Sequence, residues 1–428
     1  MKRILYLDTL RGFLILYVVF IHAVLLIIFQ ADYDYIEILP IWVIALLFPL
    51  LLIAMWGPMF SMMSATTNTF LVYHQLEKGK ELRKTILTRM LSYVLIIFVH
   101  FINMIFFIHY IPLDGEIYRS LIGGTLETGQ LTLPNILMFL NSGTLLLIGL
   151  SGLLINTILL FLWRDNGYKN KRKTAFAFIS LAIIFLFIRP FLYPSMNNLI
   201  IQLAEQNHLI VSILLSWLFR GQFGLIPMAA IPFFGVIFGL LIAHNETKQT
   251  IKKVGFTSAI GMILLTLIFF GLFGIPDLTL PYWPVTMVSF NLMLMILVTT
   301  LLIIRYEHTS QKKRRIRAKR TIFLRRFSMI TLTMFVFESI ITILWAKVFN
   351  IIFNNPFPYN VAADVLFLFC VLGTWYVIAR IWEKIDFKYT IEWFMIQIMS
   401  KITGKTSTKL DVNSVLYHTT LSNEHTKK

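Results

Sequence analysis

Of the 428 residues, 57% are hydrophobic and only 14% are charged, with 38 phenylalanines among them. A soluble domain is nearer half apolar and a quarter charged, so the composition excludes an ordinary water-soluble fold. The formal net charge of +17 invites a nucleic-acid partner, a reading that the placement of the charges removes.

Apolar runs of roughly 20 residues, the length that crosses a bilayer, recur along the chain. Ten fall near 10 to 30, 47 to 72, 89 to 111, 135 to 162, 174 to 193, 223 to 243, 254 to 274, 284 to 304, 327 to 348 and 361 to 381. The expected fold is an all-α polytopic membrane protein of about ten transmembrane helices, with interfacial amphipathic helices besides. It comprises one membrane domain over 1–382, an inner-face amphipathic helix over 383–402 and a polar, disordered tail over 403–428. The Met-Lys-Arg start before an apolar run has no small-residue cleavage site after it, so it reads as an uncleaved first span.

That first run, Tyr6 to Ile28, carries Asp8, Arg11 and His22 as its only ionisable side chains apart from two tyrosines. Eleven residues of helix return to nearly the same face about 16 Å further on, so Arg11 and His22 share a stripe. Asp8 lies three residues before Arg11, a spacing that suits an ion pair. Such groups are costly in lipid, so the stripe is expected to face other helices or a wet cavity.

With the N-terminus in the cytoplasm, 34 of the 38 Lys and Arg residues fall in inner segments and 4 in outer ones. The bias orients both termini inward, in a plasma membrane. The basic loops, including Gln311 to Arg320, then face anionic headgroups of the bilayer, and no nucleic acid is needed.

Pro194 to Gln222, the longest outer connection, is apolar enough to be a helix lying at the outer surface. Phe387, Ile391, Phe394, Met395, Ile398 and Ile402 keep helical spacing and mark the inner amphipathic helix. A single cysteine, Cys370, excludes an intramolecular disulfide and a cysteine metal cluster. No metal is expected.

In the third run, Arg89 and His100 repeat the eleven-residue spacing of Arg11 and His22. Arginines at helix ends commonly snorkel to headgroups, whereas mid-span histidines more often mark a pathway or a site. Asn68, Asn103, Asn135, Asn141, Asn156 and Asn291 have helix-to-helix hydrogen bonding as their plain explanation. Glu338 needs a partner, a proton or water.

Leu7-Asp8-Thr9-Leu10-Arg11-Gly12-Phe13 resembles the opening of the transmembrane acyltransferase superfamily, which includes YeiB-like proteins, acyltransferase type 3 proteins and heparan-α-glucosaminide N-acetyltransferases. Arg89 through His100, Phe223 to Leu241, Leu332-Thr333 with Phe335 and Glu338-Ser339, and Ile391-Glu392-Trp393 are similar to YeiB-like segments. Three positions depart from that branch. His22 stands where it has asparagine and where the type 3 branch carries its catalytic base. Asn135 replaces an aspartate, and Glu338 a glutamine.

The resemblance implies transfer of an acyl group, such as acetyl, from cytoplasmic acyl-CoA to an acceptor at the outer side, for example a glycan or a lipid-linked one. It implies a membrane-bound O- or N-acyltransferase. His22, with His100 as second candidate, would be the base; Arg11 and Arg89 would receive the CoA phosphates, with Asp8 holding Arg11. Asn103, Asn135 and Glu338 would support the site. A small-molecule transporter and a non-catalytic membrane protein are the alternatives, and monomer and homodimer are both open.

Overall fold

The protein is described here by a computed structural model covering residues 4–29, 53, 55–113, 116–274, 284–354, 357, 360–404, 412 and 416–417. The first third holds α1 (Leu5–His22), extended by a π-helical stretch at Ala23–Ile28, then α2 (Met59–Glu77) and α3 (Leu82–Ile102), extended by a second π stretch at Asn103–Phe107. An antiparallel hairpin of β1 (Tyr110–Leu113) and β2 (Glu116–Arg119) follows, then α4 (Leu121–Thr128), α5 (Thr144–Leu162), α6 (Lys171–Glu205) and α7 (Leu209–Phe219). The rest holds α8 (Ala230–Ala243), α9 (Lys248–Phe273), α10 (Val285–Tyr306), α11 (Gln311–Arg320), α12 (Ile322–Phe327), α13 (Thr331–Phe353), α14 (Val361–Lys384) and α15 (Ile391–Thr403).

Nine helical segments among the described residues are long and apolar enough to cross a membrane, and the chain is an all-α polytopic membrane protein. The expected second span, near 47 to 72, begins outside the described residues. Its described part, α2, is rich in Ser, Thr and Asn and is not one of the nine.

Other boundaries move for identifiable reasons. The run expected from 135 becomes helical only at Thr144, because Ile136–Leu140 is a 3₁₀ turn capped by the Asn135 side chain. The helix expected to stop near 193 continues through Pro190 and Pro194 to Glu205. At 35 residues it is about 52 Å long, well beyond a hydrocarbon core of about 30 Å. The surface helix expected from Pro194 is therefore two pieces, the end of α6 and the separate α7. The amphipathic helix of the C-terminal region is α15 and starts at Ile391, after a turn that holds Asp386, Phe387 and Tyr389 at positive φ. Phe394, Ile398 and Ile402 line its exposed face. Of the tail expected over 403–428, Thr403 ends α15 and Gly404 caps it, and the rest lies outside the described residues apart from Val412, Leu416 and Tyr417.

Packing divides the chain into two compact units, one of residues 1–54, 103–134 and 305–428, the other of 55–102 and 135–304. The second is knit by small residues that let helix backbones approach, the usual device where lipid removes the hydrophobic drive. Gly235 and Gly239 of α8 sit against Met62, Thr66 and Thr69 of α2, and Gly152 of α5 against the Tyr93 ring. Asn68 donates to Asn156 across α2 and α5 at 3.2 Å, the helix-to-helix role expected for these amides.

In the first unit, α1 packs on α12 and α13. A methyl group on Gly12 would run into the backbone carbonyl of Leu324, which gives the glycine of the opening motif a steric reason. Asp8 pairs with Arg11 at 4.0 Å, as the spacing requires.

Candidate active site

His22 ends α1 where the helix widens into its π stretch. π segments occur disproportionately at functional sites, since they break the regular hydrogen-bond ladder and re-aim side chains. The Nδ1 of His22 lies 2.7 Å from Oε1 of Glu338, seven residues into α13. The side chain of His22 is 35% exposed and that of Glu338 only 6%, so the imidazole is reachable and the carboxylate is not.

A third group completes the cluster. Nε2 of His109 lies 3.3 Å from the other Glu338 oxygen, Oε2. Two imidazoles thus share one carboxylate, with ring centroids 6.2 Å apart and planes nearly perpendicular. The second π stretch, Asn103–Phe107, ends two residues before His109, so both π stretches abut the cluster.

Hydrogen-bond chemistry assigns the protons. An ionised carboxylate only accepts, so His22 places its hydrogen on Nδ1 and His109 places its own on Nε2. That tautomer leaves the lone pair of His22 on Nε2, and among the described residues this nitrogen makes no hydrogen bond. An imidazole with its far nitrogen held by a carboxylate and its near nitrogen open is the working arrangement of a general base. The ligating atoms of His22, His109 and Glu338 also lie within 4.8 Å of one another, so the same three side chains could hold a metal ion. The contacts they make with each other are hydrogen bonds.

The remaining residues singled out from the sequence are dispersed. Arg11 and Asp8 form their pair further down α1. Asn103 belongs to the same unit, begins the second π stretch, and is buried with Oδ1 lacking a hydrogen bond among the described residues. Arg89, His100 and Asn135 belong to the other unit. Arg89 is half-buried in α3. His100 is 2% exposed, its ring edge filling the space beside Gly143. Asn135 accepts the backbone N–H of Leu137 at 2.9 Å and is exposed, which is a capping role. His109 was absent from the sequence-derived set. Its signal was its place, as an ionisable residue two positions from the end of an expected span.

The chain matches the type 3 acyltransferase domain over residues 4–380, and it belongs to that acyltransferase family. The match covers His22, His109 and Glu338. It does not separate out the YeiB-like or heparan-α-glucosaminide branches. No curated protein and no solved structure matches the chain.

Proposed function

We propose that the protein transfers an acyl group, acetyl being the simplest case, from cytoplasmic acyl-CoA to a hydroxyl or amine acceptor, such as a glycan or lipid-linked glycan, outside the plasma membrane. The observation that carries this is the contact between His22 and Glu338 in a chain of an acyltransferase family. His22 Nε2 takes the proton of the acceptor hydroxyl, and the oxygen attacks the thioester carbonyl. The carbon–sulfur bond then breaks, and the imidazolium returns its proton to the departing CoA thiolate. Glu338 holds the tautomer and stabilises the imidazolium, as a buried carboxylate does for other catalytic histidines.

Histidine at position 22 favours the type 3 way of working over that of the YeiB-like branch. His100 remains the second candidate base, and its burial argues against it. Arg11 and Arg89 suit CoA phosphates through their forked donors, with Asp8 holding Arg11. Asn103, buried and with Oδ1 making no hydrogen bond among the described residues, would support the site from behind its surface. Asn135, as a cap, would support the site only through the fold. Cytoplasmic termini and basic loops against anionic headgroups belong to the same proposal, and the charge bias of the sequence supports them.

Purified protein in nanodiscs, incubated with acetyl-CoA, tests the proposal. Release of free CoA thiol, increased by an added glycan acceptor, is expected. Neither binding nor turnover of acetyl-CoA would point instead to a transporter or a non-catalytic membrane protein.

A further inference from the structure

We propose that His109 is a positioning residue: through Nε2–H it holds Oε2 of Glu338, and so keeps Oε1 against Nδ1 of His22. The inference rests on the reading of His22 as the base, and it adds a residue to that machinery.

A glutamate side chain has three torsions, and one contact to His22 fixes only one of its oxygens. A second donor on the second oxygen fixes the carboxylate plane as well. Catalytic groups must be held this closely, because a displacement of about 1 Å can cost about 10²-fold in rate.

The segment that carries His109 is itself tied to both partners. Phe107 O accepts from Ser339 Oγ, the neighbour of Glu338 on α13. Ile108 O accepts from Ser120 Oγ at 2.6 Å. The Tyr110 hydroxyl donates to Leu26 O at 3.3 Å, on the π stretch that follows His22. α4 comes so close that a methyl group on Gly123 would lie 2.6 Å from Ile108 O. These ties bracket His109 between the two helices whose side chains must meet.

Burial decides what kind of residue this is. His109 is 4% exposed against 35% for the His22 side chain, so a substrate that reaches His22 does not reach His109. It acts through Glu338.

Two replacements of similar length separate donation from mere space-filling, since Gln offers an N–H and Met does not. Thiol release from acetyl-CoA by the full-length protein in nanodiscs is the readout. His109→Met should lower kcat about 10²-fold with KM for acetyl-CoA unchanged, and His109→Gln should recover most of the loss. In a Glu338→Gln background, His109→Met should add nothing, because the two residues form one unit. Equal rates for the Met and Gln variants, or losses that multiply in the double variant, overturn the proposal. Wild-type protein that releases no thiol, or His22→Asn protein that releases it at the wild-type rate, removes the base itself, a result distinct from either.

Discussion

The Glu392 carboxylate caps the first turn of α13 by accepting the Thr333 hydroxyl at 2.6 Å and the Thr333 N–H at 3.3 Å. It also accepts the N–H of Leu332, while Thr333 Oγ1 accepts the N–H of Ile391 in return. Orphan N–H groups at a helix start need such acceptors. Here the acceptor comes from α15, and the helix it caps carries Glu338 five residues on. Glu392→Ala should destabilise the protein by about 1–2 kcal/mol, as loss of a good cap does. It should also lower acyl transfer, because the helix that Glu392 caps carries Glu338. Melting in detergent and thiol release measure the two effects.

Burial pushes the Glu392 carboxyl up from 4.5, against the pull of its donors. The folded protein therefore binds this proton more tightly than the unfolded chain, so the group favours folding most below its unfolded pKa, about 4.3. That contribution is lost as pH rises through the raised value. Glu392→Gln cannot titrate. The difference in melting temperature between wild type and this variant should change with pH across that window and be constant well above it.

Gly12→Ala should cost about 1–3 kcal/mol, the range for overpacking a close contact. The new methyl group meets the backbone of Leu324, which cannot rotate away as a side chain would. A melting temperature equal to the wild type would show that α1 and α12 separate without loss.

Arg326 and Glu383 form a two-pronged pair at 2.8 and 3.4 Å, with side chains 6% and 11% exposed. Removing one partner of such a pair strands the other, a cost of about 3–5 kcal/mol, whereas replacing both with apolar residues costs much less. Glu383→Gln should thus be less stable than the double variant Arg326→Met with Glu383→Leu. The reverse order in thermal unfolding would show that Arg326 is not stranded by the loss of Glu383, its contact with the Tyr417 hydroxyl at 3.4 Å being enough.

Arg11→Gln and Arg89→Gln should each weaken acetyl-CoA binding in calorimetry while the protein stays folded. Unchanged affinity in both would leave the arginines with headgroups alone.

Much of this was legible in the sequence. The helical class followed from apolar runs, and the ion pair of Asp8 with Arg11 from its spacing. His22 and Glu338 stood out because ionisable groups are expensive in lipid. That they meet was not legible, since 316 residues separate them and no local periodicity reports a tertiary contact. His109 was missed because a histidine at the edge of a span reads as a loop residue, while His100 attracted notice by repeating a spacing. The pairing of β1 with β2 was hidden because the residues of β1 read as the end of an apolar span. The length of α6 was misjudged because proline ends helices in water, whereas in membrane helices neighbouring groups satisfy the freed backbone.

His22→Asn tests the central claim most directly, because it keeps a polar amide and removes the titratable nitrogen. Measured as thiol release from acetyl-CoA in the presence of an acceptor, the rate should fall about 10² to 10⁴-fold, as loss of a general base requires. Transfer at near wild-type rate would contradict the assignment of His22 as the base, and His100 would be the next residue to test.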